Sequence, residues 1–139
     1  MMTGKDDSID VVKSHIENRV KNKKILLVDD SLLTSRIVSE FLNENGYETE
    51  TVTTGEEALQ KVCNITIDLI LMDIELAGEM DGIEALREIK QINPKAKVIM
   101  ISAMGQEKSV KESIVAGASG FILKPFNEEQ VIRGLSKFK

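Results

Sequence analysis

The chain has 139 residues, a formal net charge of -5 and a sequence pI near 5.0. Its length suits one domain with a buried core and leaves no room for a second folded module. The acidic balance argues against nucleic acid as the main partner, because phosphate-backbone binding needs clustered Lys and Arg. No apolar run approaches the ~20 residues of a membrane span, and the polar N-terminus lacks the apolar core of a signal peptide. The single cysteine, Cys63, excludes an intramolecular disulfide and favours a reducing cytoplasm.

Residues 1–22 differ from the rest and are predicted to form a polar N-terminal extension, with the globular domain at 23–139. The extension has apolar residues at three- and four-residue spacing, which favours a short amphipathic helix. These apolar residues are Ile9, Val12, Ile16 and Val20. Because an isolated helix of this length is marginal in water, it docks on the domain, binds a partner or frays. His15, the only histidine, is interpreted as a solvated residue of this extension.

From residue 24 onward, short apolar runs rich in Val, Ile and Leu alternate with longer segments of helical period. This alternation predicts repeated βα units in a parallel sheet whose two faces are both covered by helices. The predicted strands lie near 24–29, 47–52, 68–73, 96–101 and 119–123, and the predicted helices near 31–45, 55–64, 82–92, 106–116 and 127–138.

Local signals support the predicted helix ends. Three capping residues precede an acid or an amide by three positions, as expected at helix starts. These pairs are Thr54 with Glu57, Asp81 with Glu84, and Asn127 with Gln130. Gly46 and Gly117 each follow a helical segment, where a left-handed residue is expected to end the helix.

Polar residues follow four of the predicted strands. Asp29 and Asp30 follow the first, Asp73 the third, Ser102 the fourth and Lys124 the fifth. In an open parallel sheet these strand ends lie on one edge, where ligands bind. Three carboxylates there would repel one another unless they hold a hard cation such as Mg2+. A carboxylate, a hydroxyl and an ammonium around that ion predict a phosphorylatable aspartate. The alternative for Asp29 and Asp30 is helix capping, which explains one of the two acids but poorly explains both.

This arrangement over residues 24–138 resembles the receiver domain of two-component response regulators. The acidic pair, the later Asp, the hydroxyl residue and Lys124-Pro125 occur in the order that the family shows. Residues 101–106 (ISAMGQ) and 121–126 (FILKPF) are most similar to single-domain chemotaxis regulators. The resemblance implies a doubly wound, flavodoxin-like α/β fold with a five-stranded parallel sheet in the order 2-1-3-4-5 and helices on both faces.

The resemblance also implies roles for the residues at the strand ends. Asp73 would be the phosphoacceptor, which attacks the phosphorus of a phosphoryl group supplied by a partner histidine kinase. Asp30 and Asp73 would bind Mg2+ directly, Asp29 partly through water, and Glu75 through its backbone carbonyl. Lys124, joined to its proline by a cis peptide bond, would pair with Asp73 and then with the phosphoryl oxygens.

Further roles concern the switch and the lifetime of the phosphorylated state. Ser102 would turn its hydroxyl toward the phosphoryl group, helped by the backbone N–H groups of Glu75 and Ala103. Phe121 would then rotate and change the face made by the fourth helix, fifth strand and fifth helix, although simple core packing is the alternative for its ring. Glu75 and Met104 would flank the water that hydrolyses the phosphoryl group.

The resemblance therefore predicts a stand-alone response regulator, a monomer or weak dimer and not a turnover enzyme. Since no output domain follows the fifth helix, the output is expected to be a protein contact in chemotaxis, or a relay step or control of another kinase or phosphatase. Two other classes remain open. A haloacid-dehalogenase-like phosphatase expects two acids separated by one residue, unlike the adjacent Asp29 and Asp30. A flavodoxin-like cofactor binder needs a phosphate loop there, and an acidic pair repels phosphate.

Overall fold

The structure is a computed structural model that describes residues 23–138. The predicted extension at 1–22 and its helix lie outside the described residues. Among the residues that are described, none of the helices combines the length and the apolar character needed to cross a membrane.

Within residues 23–138, five strands alternate with five helices. The strands are β1 (Lys24–Val28), β2 (Glu48–Val52), β3 (Leu69–Asp73), β4 (Val98–Ser102) and β5 (Gly120–Leu123). The helices are α1 (Leu32–Glu44), α2 (Gly55–Asn64), α3 (Gly82–Ile92), α4 (Glu107–Val115) and α5 (Glu128–Ser136). Every element predicted after residue 23 is present, and its ends lie within about two residues of the prediction, the usual scatter of helix and strand ends.

The strands form one parallel sheet in the order β2-β1-β3-β4-β5, which confirms the predicted topology. Val28 at the end of β1 lies opposite Met72 of β3, and Asp73 lies opposite Ile101 of β4. Ser102 in turn lies opposite Leu123 of β5. This register aligns the carboxyl ends of the strands, so the polar residues that follow them share one edge.

The sheet has an apolar core on each face. One core joins the strands to α2 and α3, for example through Ala58 and Leu86. The other joins them to α1 and α5, for example through Leu42 and Leu135. Since fully burying one such large side chain stabilises a fold by ~1.5–3 kcal/mol, these cores hold the strand ends in place. Helix α4 is the exception, because Ser113 is its one buried residue.

The predicted helix caps are confirmed. The side chains of Thr54 and Asp81 accept hydrogen bonds from the N–H groups of Glu57 and Glu84, at 3.1 and 2.9 Å. At the start of α5, Asn127 and Gln130 bond reciprocally in a capping box, with both bonds at 2.9 Å. Gly46 and Gly117 have φ values of +88° and +103°, as expected of residues that end helices.

Helix α3 begins in direct contact with the end of β3. Gly82 is buried, and its N–H donates a hydrogen bond of 3.0 Å to the carbonyl of Ile74. A Cβ atom at this position would collide with the carbonyl oxygen of Asp73. A glycine is therefore required for α3 to approach the strand that carries Asp73.

Candidate functional site

Three carboxylates converge at the aligned strand ends. Asp29 and Asp30 follow β1, and Asp73 is the last residue of β3, the neighbouring strand. Each contributes a carboxylate oxygen, and these oxygens all lie within 4.8 Å of one another. Asp29 is fully buried and Asp73 is nearly so, whereas Asp30 is exposed. We call these three residues the acidic cluster; the structure brings them together, while their role as metal ligands stays a prediction.

One of the two carboxylate oxygens of the buried Asp29 has a hydrogen-bond partner and the other has none. Its Oδ1 accepts a hydrogen bond of 2.9 Å from the N–H of Ser31. Its Oδ2 is buried without a hydrogen-bond partner, and the Nζ of Lys124 lies 3.9 Å away. An unsatisfied buried acceptor costs ~1–3 kcal/mol, and more when it is charged. A cation bound beside Asp29 would supply the missing interaction.

The Asp30 carboxylate is hydrogen-bonded to the loop between β3 and α3. Its Oδ2 accepts a hydrogen bond of 3.1 Å from the N–H of Ala77, which lies between β3 and α3. This bond connects the residue after β1 to the loop after Asp73. The exposed carboxylate of Asp30 therefore faces the same site as the two buried ones, from the solvent side.

Lys124 is the cation nearest to the acidic cluster in the part of the chain that is described. Its Nζ donates a hydrogen bond of 2.8 Å to Asp73 Oδ2. Its backbone N–H donates to the carbonyl of Ser102 at 2.7 Å, and its bond to Pro125 is cis. One ammonium thus faces three carboxylates, which leaves the site with an excess of negative charge.

Burial and charge act in opposite directions on this pair. Burial raises the pKa of Asp73, and the nearby charge of Asp29 adds to this, so the hydrogen bond and charge of Lys124 do not fully compensate. Burial alone would lower the pKa of Lys124, but its bond to Asp73 and the charges of the acidic cluster outweigh burial and raise it. Burial dominates the pKa shift of Asp73 but is outweighed in Lys124, because the Asp73 side chain is 7% exposed and that of Lys124 is 32% exposed. A further cation would favour the ionised form of Asp73.

The opposite side of the site carries hydrogen-bond donors. Ser102, the last residue of β4, is buried, and Ala103 follows it. The N–H of Ala103 donates a hydrogen bond of 2.6 Å to Oε1 of Gln106. The Nε2 of Gln106 in turn donates to Oε1 of Glu75 at 2.8 Å. The Ala103 amide, predicted to contact a phosphoryl group, is therefore already bonded within the protein.

Gln106 was missed by reasoning from the sequence. It lies in the stretch 101–106 that carries the family resemblance, but no chemistry was assigned to it. A signal was available, since Gln106 immediately precedes α4, where a side-chain acceptor can bond to nearby backbone N–H groups. Which N–H group it bonds depends on the conformation of the loop.

The remaining predicted site residues lie close by. The N–H of Glu75 donates a hydrogen bond of 3.1 Å to Asp73 Oδ1, which fixes the orientation of that carboxylate. Phe121 lies on β5 opposite Met100, partly buried and packed against the core. The roles of the Glu75 carbonyl as a metal ligand and of Phe121 as a switch stay predictions.

The residues present fit a magnesium ion. The acidic cluster offers carboxylate oxygens, which hard divalent cations prefer. Its net negative charge and the unpartnered Oδ2 of Asp29 both favour a cation over an anion at this position.

Comparison with known proteins identifies the family. The family model for the response regulator receiver domain matches residues 25–136. The chain belongs to this family. The predicted resemblance is thereby confirmed.

Individual proteins agree with this assignment. The receiver domain is 41% identical over 116 residues to chemotaxis protein CheY of Thermotoga maritima, covering 83% of this chain and 96% of the relative. It is 43% identical over 115 residues to chemotaxis protein CheY of Bacillus subtilis, covering 82% and 95%. The solved structure of chemotaxis protein CheY4 of Vibrio cholerae superposes with a TM-score of 0.80 at 30% identity, covering 85% of this chain and 99% of that one.

Proposed function

We propose that this receiver domain is a phosphoacceptor signalling protein, in which Asp73 receives a phosphoryl group from a phosphohistidine of a partner kinase. The observation that carries the proposal is the placement of the buried Asp73 carboxylate between Lys124, at 2.8 Å, and an acidic cluster with one unpartnered oxygen. Such a carboxylate is held in position and surrounded by groups that can stabilise a transferred phosphoryl group.

In the proposed reaction, a carboxylate oxygen of Asp73 attacks phosphorus, a phosphorus–oxygen bond forms, and the phosphorus–nitrogen bond breaks. The electron pair of that bond leaves with the imidazole of the kinase. Lys124 neutralises charge on the phosphoryl oxygens, and its length allows it to follow them from its present contact with Asp73. The Ser102 hydroxyl and the N–H groups of Glu75 and Ala103 donate to the same oxygens.

The proposed metal is Mg2+, held by Asp29, Asp30, Asp73 and the backbone carbonyl of Glu75. When bound, it neutralises charge that develops on the phosphoryl oxygens. The carboxylates hold the cation, and the hydrogen bond from Ala77 to Asp30 keeps the loop after β3 near the site. The protein assists its own phosphorylation and dephosphorylation but does not turn over unrelated substrates.

The proposed output is a change in the face made by α4, β5 and α5. This face exposes apolar side chains, since Ile114, Val115 and Leu123 are 56%, 89% and 56% exposed. Because α4 buries a single residue, less apolar surface holds it to the sheet than holds α3. We infer that movement of Ser102 and Phe121 alters this face, which then binds or releases a target protein.

The proposed target belongs to a chemotaxis pathway, because the relatives named above are chemotaxis proteins. A reducing cytoplasm suits Cys63, which is exposed and is the only cysteine of the chain. The test is to capture proteins from the source cells on the immobilised receiver domain, with and without beryllofluoride, which mimics the aspartyl phosphate. Capture of a chemotaxis component that depends on the mimic supports the pathway, whereas capture of a phosphotransfer protein instead supports a relay.

The phosphoacceptor itself is tested with acetyl phosphate and Mg2+. Intact-mass analysis should show one added phosphoryl group on the wild type and none on Asp73→Asn. Glu88→Gln, an exposed carboxylate on α3, is the matched control and should label like the wild type. Labelling of Asp73→Asn would refute the assignment, and steady hydrolysis of unrelated phosphate esters would indicate a phosphatase.

A further inference from the structure

The Gln106 side chain connects two loops of the site. Its Oε1 accepts from the Ala103 N–H after β4, at 2.6 Å, and its Nε2 donates to Glu75 after β3, at 2.8 Å. Glu75 and Gln106 are 31 residues apart in the sequence. Both ends of the Gln106 amide are therefore committed to site residues.

Gln106 is not needed to cap the helix that it precedes. Its side chain makes no capping hydrogen bond to α4, because its Oε1 turns back to Ala103. The contribution of Gln106 to α4 is its backbone carbonyl, which accepts from the N–H of Val110 at 2.9 Å. Any residue supplies that carbonyl, so a substitution of the side chain leaves the helix start intact.

We propose that Gln106 is a positioning residue that occupies the Ala103 amide in the resting receiver domain and must release it when a phosphoryl group arrives. This inference rests on the proposed function, in which the Ala103 N–H donates to a phosphoryl oxygen. One N–H group makes a single strong hydrogen bond, so the amide oxygen of Gln106 and a phosphoryl oxygen compete for it. The phosphoryl oxygen is the stronger acceptor and displaces the Gln106 oxygen, because charge-assisted hydrogen bonds are stronger than neutral ones.

Glu75 determines how firmly Gln106 competes. Its carboxylate accepts from Nε2, which holds the Gln106 side chain with its oxygen directed at Ala103. When the phosphoryl group takes the Ala103 amide, the bond from Ala103 to Gln106 breaks, and the Gln106 side chain at the start of α4 keeps its bond to Glu75 but is no longer fixed by Ala103. Phosphorylation at Asp73 is thereby coupled to α4, the helix with the fewest buried residues.

The first test replaces Gln106 by a residue of similar size without hydrogen-bonding groups. Gln106→Met should increase the initial rate of Asp73 labelling by acetyl phosphate about fivefold, the worth of one ordinary net hydrogen bond. Gln60→Met, an exposed glutamine on α2, is the matched control and should not change the rate. An unchanged or slower rate in Gln106→Met, with wild-type thermal stability, would overturn the proposal.

The second test separates the hydrogen bond of Glu75 from its charge. Glu75→Gln and Glu75→Met are both uncharged and similar in size, but only the glutamine can still accept from Gln106 Nε2. Glu75→Met should therefore label faster than Glu75→Gln when Gln106 is present, and at the same rate in the Gln106→Met background. A difference of equal size in both backgrounds would show that Glu75 acts without Gln106.

The third measurement observes the amide directly. In Gln106→Met, the Ala103 N–H signal should move upfield because it loses its acceptor, and the first-turn amides of α4 should move toward their positions in the beryllofluoride-bound wild type. Signals of α4 that stay at resting positions would refute the coupling. If the wild type itself takes no phosphoryl group, the proposed function fails; if it labels and these variants do not differ, this inference alone fails.

Discussion

Asp29 and Ala103 lie on opposite sides of the same site and differ in how their polar groups are satisfied. The Oδ2 of Asp29 is buried without a hydrogen-bond partner, whereas the N–H of Ala103 is bonded to Gln106 at 2.6 Å. A cation can therefore bind the acidic side by adding an interaction that is missing. In the proposed function, a phosphoryl group must in contrast replace an existing hydrogen bond on the amide side. We therefore propose that the resting receiver domain can take up the metal directly, whereas a phosphoryl group must first displace Gln106.

Lys124 connects the two sides, and its removal should have the largest effect. Lys124→Met keeps the length of the side chain but leaves three carboxylates without an ammonium. We expect labelling by acetyl phosphate in Mg2+ to slow by about a hundredfold, the usual cost of losing one group that stabilises transition-state charge. Lys108→Met, an exposed lysine on α4, should label normally. Equal rates for both variants would show that Lys124 does not contact the phosphoryl group.

The acidic side predicts stabilisation by Mg2+. At a concentration 100 times its dissociation constant, the ion should raise the free energy of unfolding by ~2.7 kcal/mol. Asp30→Asn should lose most of this gain in thermal unfolding with and without Mg2+, while Glu79→Gln, exposed in the same loop region, should keep it. The same stabilisation in Asp30→Asn would place the metal elsewhere.

The lifetime of the phosphorylated state depends on access of water to the phosphorus. Met104 is 81% exposed beside the site and cannot orient water by hydrogen bonding. Met104→Asn supplies a side chain that can, so we expect loss of the phosphoryl group in Mg2+ to become about tenfold faster, or ~1.4 kcal/mol in the barrier. Val115→Asn, an exposed residue on α4, serves as the control. Unchanged decay in Met104→Asn would show that this position does not control water.

The smallest effect should come from substitution of Thr54, a helix-capping residue outside the acidic and amide sides of the site. Thr54→Ala removes the hydrogen bond to the Glu57 N–H at the start of α2 and should lower the free energy of unfolding by ~1 kcal/mol. Chemical denaturation measures this change, with Thr66→Ala in an exposed loop as the control. Labelling of Asp73 should be unaffected. A slower rate in Thr54→Ala would mean that general stability, and not the local contacts of the site, limits labelling.

Local features of the fold were predictable from the sequence because their causes are local. The spacing of apolar residues distinguishes helices from strands, and the caps at Thr54 and Asn127 involve residues three positions apart. The order of the strands is different. Apolar spacing does not say that β1 lies between β2 and β3, and this prediction came from the family resemblance, which the structure confirms.

The sequence by itself determined that carboxylates, a hydroxyl and an ammonium lie at the ends of four of the five strands, because each of these groups comes at the end of an apolar run. Only the tertiary structure decided how each group is satisfied. Asp29 and Asp30 are adjacent, yet the first is buried with a free oxygen and the second is exposed and bonded to Ala77. Gln106 meets Glu75 across 31 residues. Such contacts depend on loop conformations set by the packed sheet, which brings distant polar groups within hydrogen-bonding distance.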